Sequence, residues 1–212
     1  MKYILFRSGP LSIGINQAGA FVRTRRDVAS PDIQFHFAAL SADMPGAPLH
    51  DFSGFTSSIC QLRPESRGTL MIKSKDPLEP PSMQPHYLST DIDRKAVVDG
   101  LRVARKIAGA PAMAQYIVAE HSPGPDAQSD DDLLNFARET GVTIFHPSGT
   151  CKMGNDLQSV VDDRLRVHGL ERLRVIDCSI MPTLVSGNTH APVVMIAEKG
   201  ADMILQDAVV RA

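Results

Sequence analysis

The change of texture at Gly141 limits what this chain can fold into more than any other feature. Upstream of it, segments with clear hydrophobic periodicity are separated by loops. From Gly141 to Ala212, short apolar runs alternate with dense Gly, Pro, Ser, Thr and Asn, as in Thr143 to Gly154 and Ile180 to Pro192. Such punctuation builds turns and short buried stretches rather than long regular elements. The sequence therefore divides into residues 1–140 and 141–212, and the two parts are expected to differ in kind.

In the first part, Asp32 to Phe37 alternates apolar and polar residues, Gly68 to Ser74 is bounded by Gly and by Asp76-Pro77, and Phe55 to Leu62 is a third candidate strand. Strands this close together suggest an antiparallel sheet with one face covered. Asp91 to Ala108 reads as a helix: Val97, Leu101, Ala104 and Ala108 share a stripe, acids lie at its start, and Arg105 and Lys106 lie near its end. Ser129 can cap a helix containing Leu133, Leu134 and Phe136. In the second part, Leu173 to Asp177 reads as a short buried strand. A last helix starts near Ala191-Pro192 and runs through Met195, Ile196, Lys199 and Met203. The fold class expected is α+β.

Composition excludes several functions. A net charge of -2 gives no electrostatic case for nucleic acid as a partner. Aromatic residues make up 5% and tryptophan is absent, which disfavours base or sugar stacking. Three cysteines, Cys60, Cys151 and Cys178, show no C-x-x-C spacing, so a disulfide framework or structural zinc site is not expected. His146, His168 and His190 are widely spaced without an acidic or cysteine pair, and suggest no metal site. No apolar run approaches membrane-spanning length, and the apolar patch near Met1 is too short for a signal peptide. A cytoplasmic location is the expectation, with peripheral membrane association through a quinone acceptor left open.

The richest chemistry lies after Gly141: His146-Pro147-Ser148-Gly149-Thr150-Cys151-Lys152-Met153-Gly154, then Leu173 to Asp177, Ser179-Ile180-Met181-Pro182, and Asn188-Thr189-His190-Ala191-Pro192. This succession resembles the C-terminal signature of the glucose–methanol–choline (GMC) oxidoreductases, nearest their choline-dehydrogenase-like and alcohol-dehydrogenase branch. Gly9-Pro10-Leu11-Ser12, Ala18-Gly19-Ala20-Phe21, Pro31 to His36 and Pro64-Glu65-Ser66-Arg67-Gly68 extend the resemblance over nearly the whole chain. It implies that residues 1–140 form a substrate-binding domain, an antiparallel sheet with flanking helices. It also implies that residues 141–212 carry a strand and helix that complete an FAD-binding domain.

The resemblance further implies oxidation of a primary alcohol to an aldehyde, with hydride passing to flavin N5 and His146 as the base. An ordinary histidine pKa near 6.5 suits that role. Asn188 matches the position that holds the substrate oxygen; as an amide it cannot itself be the base. Asn188 also follows Gly187 and can be read as a turn residue. His36 matches a pocket histidine of choline-oxidising relatives, yet it can equally be an ordinary sheet-surface residue. His190 is a substrate-side candidate of second rank, and His168 is expected to be exposed in a turn. Gly149, Thr150, Asp177, Ser179, Ala191 and Pro192 are expected near the flavin, where small residues and a helix N-terminus permit close approach and favour negative charge; each is alternatively a structural turn.

The dinucleotide fingerprint G-x-G-x-x-G would place a pyrophosphate on a helix N-terminus. No two glycines here are separated by one residue, so no register can contain it. The resemblance therefore implies that the main FAD-binding region lies in a missing N-terminal half, and that this chain is a fragment, a truncated product or one part of a split protein. Relatives with an acidic residue near the Gly-Pro-Leu segment hold a cationic substrate. Here Ile13 to Ala18 has no carboxylate, which favours a neutral primary alcohol over choline. The electron acceptor, whether quinone, protein or oxygen, is left open. The competing reading is a catalytically inactive fragment that acts as a binding or structural module. A Ser-His-Asp hydrolase is disfavoured because the sequence has no G-x-S-x-G elbow; a non-redox lyase on the same fold is a further alternative.

Overall fold

The computed structural model describes residues 2–9, 12–44 and 46–209; Pro10 and Leu11 of the Gly9–Ser12 motif lie outside them. The chain forms two compact units: Met1–Leu62 with Thr90–Val142, and Arg63–Ser89 with Thr143–Ala212. One change of unit thus falls two residues beyond the change of texture, and residues 63–89 cluster with the C-terminal segment.

The first unit contains α1 (Lys2–Phe6), β1 (Asn16–Val22), β2 (Ile33–Ala38), β3 (Thr56–Gln61), α2 (Asp91–Ala108), α3 (Pro111–Ala114) and α4 (Asp130–Thr140). Its sheet is antiparallel in the order β1-β2-β3. β2 pairs Phe35 with Ala20 and Ile59, and His36 with Gly19 and Ser58. Two-residue alternation puts Ile33 and Phe35 on one face, and α2 lies against that face. The approach is close because α2 carries Gly100: a Cβ there would sit 2.9 Å from Ile59 Cδ1 and 3.2 Å from Ile33 Cδ1. Asp32, at the start of the central strand, is buried and accepts from Thr24 N and Thr24 Oγ1.

Helix α2 has the bounds expected from sequence, with Thr90 accepting from Asp93 N at its start. The four half-buried residues of the expected stripe flank the most deeply buried positions, which are Asp93, Ala96, Val98 and Gly100. Hydropathy does not mark Asp93 or Gly100. Asp93 is buried because Gln61 Nε2 donates to its Oδ1 at 2.6 Å, which offsets its desolvation. Ser129 caps α4 through a reciprocal pair with Asp132.

The second unit has little regular structure: β4 (Thr69–Met71), β5 (Ser82–Gln84), a 3-10 turn (Cys178–Ile180) and α5 (His190–Val209). β4 is shorter than the strand expected over Gly68–Ser74. Leu173 to Asp177 is not a strand. Its backbone bonds go to an irregular turn, Val167 N to Leu173 O and Val175 N to Leu165 O, and Arg174 makes one isolated bridge to Arg166. With only a turn to pair against, the segment cannot extend a ladder. Val161, Leu165, Ile180, Met181 and Ile196 form the buried core of this unit. Asp207, near the end of α5, receives both Arg164 and Arg174, tying the helix to the loops. Among the described residues no helix is long and apolar enough to cross a membrane.

Candidate functional site

His146 stands in the second unit, on the irregular stretch preceding Gly149, and its ring is held at both nitrogens. Asn188 Nδ2 donates to Nε2 at 3.0 Å. With Nε2 accepting, the proton of the neutral ring sits on Nδ1, where Thr189 Oγ1 accepts at 2.8 Å. Consecutive residues on one segment thus grip opposite edges of one imidazole. Thr189 is 5% exposed, whereas Asn188 is exposed and His146 half-buried, so the Nε2 edge is the solvent-facing one.

Local backbone geometry explains how two distant segments meet. The residue before each partner has positive φ: Phe145 at 60° and Gly187 at 152°. For Gly187 this costs nothing steric; for Phe145 it is a strained conformation, held in part by Thr143 Oγ1 accepting from Phe145 N. Thr189 directly precedes α5, and its carbonyl accepts from Val193 N. A threonine there often caps the first turn with its hydroxyl; this hydroxyl bonds His146 instead. Asn188 is the candidate that this segment offers by sequence, and Thr189 is a partner that only the fold adds. Its signal was a cap-type residue directly beside a candidate polar partner.

The remaining candidates sort by position. Gly149 to Met153 runs beside the 3-10 turn, with Gly149 N, Cys151 N and Met153 N donating to the carbonyls of Cys178, Ser179 and Ile180. Gly149 has φ 86°, and a Cβ there would lie 3.2 Å from Met181 O, so any other residue would be strained. Asp177 Oδ1 accepts from Ser179 N at 2.7 Å, starting the turn. Thr150, Asp177 and Ala191 are exposed, and Pro192 is half-buried. Ser179 differs, because its Oγ is enclosed and no described residue bonds it. His190 begins α5 with its side chain exposed, and the hydrogen bonds of the His146 ring go to Asn188 and Thr189 rather than to it. His168 is exposed and its Nε2 meets Gly154 O at 2.9 Å. His36 belongs to the other unit, half-buried on β2 on the same sheet face as Gln34. All three cysteines are free thiols; burial pushes the Cys60 thiol up.

Residues 64–197 match the family model described as GMC oxidoreductase. The chain is 42% identical over 205 residues to an alcohol dehydrogenase [acceptor] of Pseudomonas putida, covering 97% of this chain and 37% of that protein. It is 45% identical over 190 residues to an oxygen-dependent choline dehydrogenase of Serratia proteamaculans, covering 90% of this chain and 34% of that one. The solved pyridoxine 4-oxidase of Mesorbium loti superposes with a TM-score of 0.78 at 32% identity, over 87% of this chain and 36% of its own. The chain thus spans about a third of the length of these relatives. With the family model covering most of its length and 42% identity over nearly all of it, the chain belongs to the GMC oxidoreductase family.

Proposed function

We propose that this chain supplies the substrate-facing, base-bearing part of an FAD-dependent oxidoreductase that converts a primary alcohol to an aldehyde. The observation that carries the reading is the two-point hold on His146. A base must offer a lone pair to the hydroxyl proton, and Asn188 and Thr189 together leave that lone pair on Nε2. When an alcohol enters beside Asn188, Nε2 takes the hydroxyl proton. Thr189 Oγ1 continues to accept from Nδ1–H, so the ring keeps its orientation as it becomes positively charged. Asn188 Nδ2–H is released to donate to the substrate oxygen as negative charge develops there.

The fold family implies FAD, and the donor set fits an anionic, planar partner. The N-terminus of α5 adjoins Asn188 and Thr189 and carries the positive end of the helix dipole. Gly149, favoured as glycine by its positive φ, permits close approach, and Thr150, Asp177 and Ala191 are exposed. These residues, with Pro192, would hold part of the cofactor. Ser179 fits less well, since its hydroxyl is enclosed. When bound, FAD supplies the acceptor for the hydrogen that leaves carbon with its electron pair.

The larger share of the flavin contacts is assigned to a separate N-terminal part, in the same polypeptide or a partner. Apolar residues exposed on α5, among them Met195 and Leu205, are the kind of surface such a part would cover. The substrate is assigned as a neutral alcohol, because Ile13 to Ala18 offers no carboxylate to a trimethylammonium group. Nitrogen NMR of the histidine rings tests the carrying observation on this chain by itself. His146 is expected as the Nδ1–H tautomer near neutral pH, with Thr189→Val reducing that preference. An Nε2–H tautomer would contradict the assignment of the base.

A further inference from the structure

We propose a divalent transition-metal site of the zinc class in the first unit, made by Asp43, His50 and His121. One donor atom from each lies within 4.8 Å of the other two. His50 Nε2 is 3.1 Å from Asp43 Oδ1. Tetrahedral metal–donor bonds of about 2.0–2.2 Å set neighbouring ligands roughly 3.3–3.6 Å apart, so this pair needs to open only slightly to admit an ion. Asp43 and His121 are both exposed, so their side chains are free to close the remaining distance around an ion. Two imidazoles and one carboxylate suit zinc-like ions, and three protein ligands leave a coordination position open to water.

The surroundings resemble a built site more than a chance meeting of surface side chains. Ser41 Oγ lies 2.9 Å from His50 Nδ1, the nitrogen that would not bind metal. A hydroxyl can donate or accept. It can donate to Nδ1 while Nε2–H donates to Asp43, and it can accept from Nδ1–H when Nε2 turns its lone pair to an ion. Ligating histidines are commonly oriented by such a partner. Phe52 stacks on His50 with ring centroids 4.8 Å apart and lies 5.1 Å from the His121 ring, walling one side. The loop bearing Asp43 and His50 is closed by His50 N donating to Ser41 O at 3.0 Å. The segment bearing His121 is pinned next door, where Arg105 forks onto the Glu120 carboxylate and also donates to Gly124 O and Ala127 O. Each ligand-bearing segment thus has a tether close to its ligands.

Calorimetric titration of the purified chain with Zn²⁺ alone tests the site, with variants checked for folding by circular dichroism. The expected result is one site that weakens at least tenfold in His121→Gln and in Asp43→Asn, and that is unchanged in His168→Ala. His121 and Asp43 are exposed, so these variants should fold even if His50→Ala does not. Co²⁺ should broaden the ring signals of His50 and His121 before those of any other histidine. No Zn²⁺ binding, or binding that survives both His121→Gln and Asp43→Asn, would overturn the site and leave the cluster an ion pair beside stacked rings.

Discussion

The two units reach a folded state by different means. In the first, strands alternate, helices are capped, and the core sits between one face of β2–β3 and α2. In the second, the core of Val161, Leu165, Ile180, Met181 and Ile196 is enclosed mainly by turns, and single backbone bonds fix segments such as Gly149–Met153 against Cys178–Ile180. Repetition supports the first unit, whereas each pin in the second has few substitutes. The proposed base lies in the second, where irregular backbone can bring His146 and Asn188 together from positions 42 residues apart. Loops held by a fixed framework commonly carry chemistry for this reason.

The sharpest test of that contrast is truncation in the first core. Ile33 is fully buried, and Ile33→Ala is expected to cost about 2–5 kcal/mol in chemical denaturation. A cost below about 1 kcal/mol would mean that β2 does not centre the core. In the second unit, Gly149→Ala introduces no large volume change but places a Cβ on backbone with φ 86°. It should lose about 1–2 kcal/mol, measured the same way. A neutral outcome would show that the turn relaxes freely.

Thr189→Val keeps the shape and removes the acceptor at His146 Nδ1. In the protein complete with its flavin-binding part, it should slow alcohol oxidation roughly fivefold, the worth of one hydrogen bond of about 1 kcal/mol. It should also displace the pH profile, with Thr189→Ser restoring both. A purely structural threonine would leave the profile in place. The smallest effect is expected at Asp156, whose carboxyl is held down to about 2, chiefly by a hydrogen bond from Lys152 and then from Gln158 N. Its folded pKa lies below the unfolded value of about 3.9. The contribution is therefore present above that value and is lost as pH falls toward about 2. Asp156→Asn should slightly flatten the acid limb of stability against pH; an unchanged limb would show that this exposed pair contributes nothing.

The same contrast explains what sequence could reveal. The α2 bounds, the β2 and β3 positions and the Ser129 cap were legible because period, cap chemistry and charge placement agree there. β1 carried no such signal: Asn16 to Val22 is rich in Gly and Ala and mostly exposed, and it is a strand because β2 pairs with it. Leu173 to Asp177 looked like a strand from its apolar residues, but a strand also needs a partner. His146 and Asn188 were found through motif resemblance, since no local period joins them. Thr189 was missed because its role depends on a ring reached only through the fold. Asp43, His50 and His121 are separated by up to 78 residues and belong to no motif, so only the tertiary structure gathers them.

The central claim is that His146 takes the hydroxyl proton. Anaerobic stopped-flow reduction of the bound flavin by a neutral primary alcohol measures this in the protein complete with its flavin-binding part. His146→Ala should slow reduction by roughly 10²–10⁴-fold, the usual worth of a positioned general base, while the flavin remains bound. Reduction within threefold of the unsubstituted protein, with flavin fully retained, would contradict the assignment.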